Sequence, residues 1–480
     1  MSGTWFGLEI ARRGLQVHQN TLNITGHNLA NASTPGYSRQ EAVLNATAPY
    51  TTPSLGCPGQ PGQLGTGVEI SNIRRIRDEY LDHQVFRAAT DTSYWESQIS
   101  ILQRAEASFA EPASSGIGDR ITDFFKAWQN LNNSPQDLGA KASVIQIGDE
   151  LASLIGYTYN QLTDVQNSVA MIDTGPDGDE VTGGVLLEQV AEANSLLTQI
   201  RNLSDAIKRI YISGQQPNDL LDQRDLLLEE LSKFGSLTVK IETDKGKPTG
   251  GLELDFFGID VMAAETTLEL AVEIKEAGGD IRETVCLCVG TETINLTECC
   301  DDAGKGGSLL GLELARQNLA IFKDHLNDLA VSMGERIQGV NEEPPAAGHP
   351  EFFTGRPAEG NFCVDNNLLS NPDLLDGTKA QDISSLRGQN INDEDKRYTF
   401  EEYYSLLLVK VGGSAKNAGD MAYNQSAISN QITALRDSIS GVLVDEELTK
   451  MLQFQYGYQA SAQMINVMDN MLDVLINRLF

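Results

Sequence analysis

The chain has 480 residues, 40% hydrophobic and 6% aromatic, enough for a buried core in each of about two to four domains. Its net charge of −32 is unevenly spread: residues 1–110 hold 8 Lys/Arg against 9 Asp/Glu and residues 421–480 hold 3 against 6, whereas residues 251–310 alone hold 3 against 13. Near-neutral ends can lie side by side without repulsion, while an acidic middle stays hydrated and repels a nucleic-acid duplex, which argues against nucleic-acid binding.

The first predicted element is a helix from Leu8 to about Ala32. Leu8, Leu15, Leu22 and Leu29 are seven apart, and so are Ile10, Val17 and Ile24. The two series lie about 200° apart around a helix, so a helix apolar on two faces needs neighbours on both. Glu9, Arg12, Arg13 and His18 interrupt it, so the first thirty residues do not read as a cleaved signal. No apolar run reaches membrane-spanning length, so no membrane partner is expected. Pro35-Gly36 ends the helix, Arg39–Leu44 and Val68–Ile73 read as strands, and the Pro/Gly-rich 45–67 between them reads as a loop.

Further helices are predicted over 78–109, 117–131, 137–172, 186–212 and 219–233, the last with Asp219 as its cap. From Leu237 the apolar period changes from helical to alternating, and 237–303 reads as a compact acidic β region. Helix returns at 309–338. Residues 341–397 read mostly as loop, with helices at 399–411 and 415–440 after them. The chain ends in a 36-residue heptad helix from Asp445. Met451, Tyr458, Ile465, Leu472 and Leu479 are seven apart, with Phe454, Ser461, Met468 and Leu475 three positions after the first four.

That order predicts a mainly α, discontinuous, nested multi-domain fold: a long helical bundle and coiled-coil termini with an inserted β domain. The expected domains are 1–45 with 441–480, then 46–236 with 304–440, then 237–303. A lone helix cannot hide such stripes from water, so the termini are expected to pair with each other and then with other copies. Met464 and Met471, one position before heptad sites, are the expected adaptable contacts.

Little in the sequence points to catalysis. Five histidines (His18, His27, His83, His325, His349) are scattered, and no nucleophile elbow or phosphate loop is present. Cys286, Cys288, Cys299 and Cys300 lack knuckle spacing, so neither metal nor cofactor is expected.

The residues Ala30-Asn31-Ala32-Ser33-Thr34-Pro35-Gly36-Tyr37-Ser38-Arg39-Gln40 resemble the N-terminal motif of bacterial flagellar rod, hook and hook-associated proteins. Ser440-Gly441-Val442, Asp445-Glu446-Glu447-Leu448, Phe454-Gln455 and Tyr458–Ala462 resemble the C-terminal motif of the same family. Within it, Phe124–Leu131 with Pro135-Gln136-Asp137, Leu220–Asp225 with Leu231-Ser232, and Gly306–Leu312 resemble the hook-associated branch. The resemblance covers most of 1–235 and 305–480. Residues 341–353 are poorer in Gly and Asp than the family pattern, and 237–303 match none of its motifs.

The resemblance implies a structural adapter exported unfolded through the flagellar type III channel, hence extracellular after a transient cytoplasmic stage. It implies a homo-oligomeric tubular junction that meets the hook protein, a second hook-associated protein and the filament cap protein. A cytoplasmic export chaperone would bind the C-terminal segment. A hook or rod subunit, or an adhesin-like role for the β region, is the alternative.

Overall fold

The computed structural model describes residues 2–49, 65–109, 116–175, 178–244, 247–262, 269–276, 283–289, 292–296, 306–341, 350–391 and 398–474. Among the described residues eleven α-helices run, in chain order, α1 (Ser2–Ala30), α2 (Glu79–Ser108), α3 (Ile117–Asn133), α4 (Leu138–Val169), α5 (Val185–Ile212), α6 (Asn218–Ser232), α7 (Ser308–Asn341), α8 (Asn366–Ser370), α9 (Ala380–Ser385), α10 (Phe400–Ser440) and α11 (Val444–Asp473). The fold is mainly α with an inserted β region. Among the described residues no helix is long and apolar enough to cross a membrane.

The helical body is α2 flanked by α7 and α10, with α3 and α4 packed together beside them. Apolar residues on α3 recur at three- and four-residue spacing, namely Ile117, Ile121, Phe124, Phe125, Trp128 and Leu131, so one face can be wholly buried. Rings of that face meet Phe352 and Phe353 with centroids 5.4 Å and 5.6 Å from Phe124. Those two phenylalanines come from the stretch read as loop. That reading is corrected: Phe353–Thr354 (β11) pairs with Cys363–Val364 (β12), α8 and α9 follow, and Phe352, Val364, Leu368 and Ile383 are buried. Short elements are nearly invisible to periodicity, and tertiary burial holds these in place.

Three other expectations change. The predicted break between 411 and 415 is absent: α10 is one helix of 41 residues, opened by a capping box between Thr399 and Glu402. Its buried positions Phe400, Tyr404, Leu407, Val411, Ala415, Ala418 and Ala422 keep a single stripe past Gly412-Gly413. Burying that stripe on α2 outweighs the roughly 1 kcal/mol that each glycine costs a helix. A hairpin, Met171–Gly175 (β3) with Gly178–Gly183 (β4), stands between α4 and α5 where no strand was read. Asp219 lies in the first turn of α6 rather than at its cap, because the helix begins one residue earlier, after Pro217.

Among its described residues the β insertion holds two antiparallel three-stranded sheets. One is β5 (Leu237–Asp244), β6 (Lys247–Phe256) and β7 (Ile259–Asp260) in that order. The other runs β10 (Glu292–Asn295), β9 (Glu283–Val289), β8 (Leu270–Glu276). Phe257 and Gly258 join β6 to β7 with φ of 51° and 86°, the two left-handed positions of a tight hairpin. Chain exit and re-entry are stitched together: the amides of Ser308 and Leu309 donate to the carbonyls of Lys233 and Phe234 at 2.8 Å and 3.2 Å. Glu313 on α7 is fully buried, paired with Arg316 at 2.7 Å, and accepts from the Val285 amide of β9 at 3.2 Å. The insertion is therefore tethered by a neck and a buried carboxylate. Cys286 and Cys288 are buried on β9, while Cys299 and Cys300 lie outside the described residues.

The last sheet is a hairpin of Gln40–Ala46 (β1) and Val68–Arg75 (β2), which packs on α1. It straddles the expected domain boundary at 45/46, since β1 and β2 pair from Gln40 with Arg75 to Ala46 with Val68, with a bulge at Ser71 between the Val43 and Leu44 pairs.

Candidate functional site

Both chain ends come together in one antiparallel pair, α1 against α11. The contact advances along α1 as it retreats along α11. A side-chain carbon added at Gly7 would collide with Met468, and one at Gly14 would lie 3.0 Å from Ser461 Oγ. One at Gly457 would lie 2.6 Å from the His18 ring, and Asn28 bonds Glu447 at 2.9 Å. Seven steps on one helix match seven on the other, and the register does not slip.

On α11 the face turned inward is the predicted heptad: Met451, Phe454, Tyr458, Ser461, Ile465, Met468 and Leu472 are half-buried, with exposed positions between them. Leu475 and Leu479 lie outside the described residues. The α1 side differs from the expectation. Its line of closest approach is Gly7, Gly14, Thr21 and Asn28, joined by Ala11 and Thr25, and not the leucine series. Leu8, Leu15, Leu22 and Leu29 sit about 100° to one side of that line, half-buried. Ile10, Val17 and Ile24 sit about 60° to the other side, with Val17 buried and Ile10 beneath the start of β2 near Gly67. Large side chains at the seam would hold the helices apart, and small ones let the backbones approach while the aliphatic series flank the contact.

At the base of the pair the family-like motif forms a joint. Ala30, Asn31 and Thr34 close the end of α1, with the Asn31 side-chain amide donating to His27 O at 3.0 Å and the Thr34 amide to Asn31 O at 2.9 Å. Pro35 and Gly36 turn the chain, Gly36 at φ 74° with Leu226 packed 3.3 Å from where a Cβ would stand. Tyr37 then donates to Asn28 Oδ1 at 2.8 Å, and its ring lies edge-on to His27. Burial, with Asp219, Asp222 and Glu447 nearby, pushes the Tyr37 phenol well up, so it stays a donor. Arg39 ties two segments of the C-terminal part, its amide to Ser440 O at 2.8 Å and its guanidinium to Glu446 at 3.0 Å. Gln40 closes the ring, its amide donating to Asn28 Oδ1 at 3.0 Å and its side chain to Asp219 at 2.8 Å.

A buried ionic cluster fixes this joint to the body. Arg75 of β2 donates to Asp222 at 2.8 Å and Asp225 at 2.7 Å. Arg77 donates to Asp225 at 2.6 Å and pairs with Asp82 of α2. Asp222 also accepts from the Ser38 amide at 3.1 Å, and burial raises its pKa against the opposing pull of Arg75. Arg224, between the two aspartates in sequence, turns the other way and donates to Gly250 O of β6 at 3.1 Å. The segment Leu220–Asp225 is thus the hub where hairpin, motif loop, body and β insertion meet. Beside it lies an open cleft of about 450 Å³ lined by Pro35, Leu226, Arg436 and Val442.

The two ends of the chain match the families described as "Flagella basal body rod protein" over residues 8–37 and "Flagellar basal body rod FlgEFG protein C-terminal" over residues 436–479. Those two segments are the α1–α11 pair and its joint. The interior, residues 102–343, matches the family described as "Flagellar hook-associated protein FlgK helical domain". The chain belongs to the FlgK family of flagellar hook-associated proteins.

As a FlgK-family member it is a structural protein of the bacterial flagellum. It is similar to "Flagellar hook-associated protein 1" of Bacillus subtilis, 27% identical with 99% of each chain covered. It is 23% identical to the Escherichia coli protein of the same name, covering 97% of this chain and 98% of that one. The fold is similar to that of the flagellar hook junction protein FlgK from Burkholderia pseudomallei, with a TM-score of 0.56 at 13% identity, over 75% of this chain and 100% of that one.

Sequence reasoning missed the glycine–threonine seam and the Asn28–Glu447 pair. A signal was available: Asn28 lies two seven-residue steps from the seam position Gly14, and Glu447 two such steps from Ser461. A buried polar residue at such a place in a coiled coil carries information.

Proposed function

We propose that the chain is a subunit of the hook–filament junction, and that its α1–α11 pair packs as one unit against the pairs of neighbouring copies to line a tube. The observation that carries this reading is the outer face of α11. Leu452 is 54% exposed, Met464 41%, Val467 49% and Met471 50%, all outside the half-buried stripe of α11 that faces α1. Exposed apolar side chains gain roughly 1.5–3 kcal/mol each on full burial, and nothing among the described residues supplies it. The near-neutral ends permit copies to crowd together, and the acidic β insertion stays outside in water.

On this reading residues 1–45 with 441–480 act as the assembly unit. Its partners are further copies, the hook protein, a second hook-associated protein and, during growth, the filament cap protein. Before export, a cytoplasmic chaperone covers the same exposed C-terminal side chains. Met464→Asp with Met471→Asp tests it: helix content and melting of the isolated chain stay unchanged, while incorporation at the hook tip and filament growth are lost. Normal filaments on cells carrying that variant would end the proposal.

A further inference from the structure

The seam between α1 and α11 has little in it that distinguishes one stagger from another. Its hydroxyls bond within their own helices: Thr21 to Val17 O at 3.0 Å, Thr25 to Thr21 O at 3.0 Å, and Ser461 to Gly457 O at 2.9 Å. Such bonds survive any slide. A slip of one heptad, about 10.5 Å, would again set glycine or threonine of α1 against α11 with no clash between large groups along most of its length. Within the seam two contacts resist it, the His18 ring over Gly457 and the Asn28–Glu447 pair, and at the joint below Arg39 adds its bonds to Ser440 O and Glu446.

The second of these is the stricter. Asn28 and Glu447 are each 1% exposed, on elements 419 positions apart in sequence. Every hydrogen-bonding position of the Asn28 side chain is engaged. Its Nδ2 donates to Glu447 Oε2 and to Gln40 O, both at 2.9 Å, and its Oδ1 accepts from Tyr37 at 2.8 Å and the Gln40 amide at 3.0 Å. Glu447 also receives Lys450 at 2.8 Å. Slipping one heptad would set Glu447 against Thr21, whose hydroxyl is already committed, or carry it past the end of α1. Asn28 would meet Phe454 or leave α11 altogether. Each alternative strands a buried carboxylate or amide without its partner.

We infer that Asn28 and Glu447 are the pin that selects a single register of α1 against α11, and, through Tyr37 and Gln40, locks that register to the motif loop and its hairpin. The consequence rests on the assembly reading above: a fixed stagger decides which residues of α1 flank the exposed Met464 and Met471 of α11, and so gives every copy the same contact surface. A pair free to slide would present several surfaces differing by about 10.5 Å and could not tile.

Disulfide trapping in the full-length, unassembled chain tests the pin, with cross-linked peptides identified by mass. The pair Gly14→Cys with Ser461→Cys reports the observed register, and Gly14→Cys with Met468→Cys reports a one-heptad slip. With Asn28 and Glu447 in place, the slipped cross-link is expected at least about tenfold less abundant than the native one. With Asn28→Leu and Glu447→Leu, both cross-links form to similar extents at unchanged helix content. Asn28→Ala with Glu447→Ala repeats the test should the leucines fail to fold. Glu447→Gln, which keeps a bond to Asn28, stays in the native register. Exclusive native cross-linking in the leucine or alanine variant would overturn the inference, as would slipped cross-linking in the parent chain. Because the readout precedes assembly, it can fail while the Met464→Asp and Met471→Asp outcome holds, and the reverse.

Discussion

Ser308 donates its amide to the carbonyl of Lys233 at 2.8 Å, so the chain leaves the helical body and returns to it at one point. Gly235 and Gly307 approach so closely there that a side chain on Gly307 would strike the Gly235 backbone. Everything between them is an excursion whose ends are already joined.

Replacing residues 237–305 by a short Gly/Ser bridge should therefore leave α2, α7 and α10 packed. Loop-closure entropy changes little because the ends already meet. Circular dichroism should show a single melting transition and a higher helical fraction. Some loss of midpoint is expected, since Glu313 forfeits its bond from Val285 while keeping Arg316. A broad, non-cooperative melt would show that the insertion is part of the body's core.

Neighbouring arginines on β2 should differ sharply. Arg75 lies half-buried between Asp222 and Asp225, whereas Arg74 pairs with Glu41 at 3.2 Å in open solvent. Arg75→Leu strands the buried Asp222 carboxylate, leaves Asp225 to Arg77 alone, and should destabilise by about 3 kcal/mol. Arg74→Ala should change stability by less than about 0.5 kcal/mol. Urea melts of the two variants decide the matter. Equal effects would remove the ionic cluster from its anchoring role.

Acid stability should carry opposed contributions. Bonds from the Thr399 amide and hydroxyl hold Glu402 below its ordinary 4.5, and those from Arg12 and then Arg13 hold Glu9 at about 2. Both folded values lie below the unfolded one, so their stabilisation is present above about pH 4.5 and is lost as pH falls through the folded values. Both groups are exposed, so the effects are small and fade with salt. Asp222 works with the other sign. Burial, outweighing Arg75 and Ser38, raises it above 3.8, so its contribution favours folding at low pH and is withdrawn as pH rises through the folded value. Between about pH 5 and 3, Glu402→Gln should flatten the acid-side decline, and Asp222→Asn should steepen it. Urea midpoints across that window, unchanged by either substitution, would contradict this account.

Much of the organisation could be read from residue order. The heptad of α11 predicted its inward face, because a helix seam needs a 3.5-residue repeat whatever its partner is. The change from helical to alternating period at Leu237 predicted the insertion, because the pleat of a strand sets side chains at period two. The same reasoning failed on α1. The ladders at Leu8 and Ile10 were conspicuous, yet the contact runs along glycine and threonine. Hydrophobic pattern shows which residues avoid water and says nothing about how closely two backbones will approach. It also passed over the stretch around Phe352, where burial comes from distant α3.

The sequence alone thus determined that this protein has two apolar end helices, a nested helical body, an acidic β insertion and the motifs of the flagellar axial proteins, since each depends on local spacing and composition. Tertiary structure alone decided which face of α1 meets α11, that Asn28 finds Glu447, and that Asp222, Asp225, Arg75 and Arg77 converge at one joint. Those pairings join residues far apart in the chain. Their partners become neighbours only after the helices pack, so no window of sequence contains them.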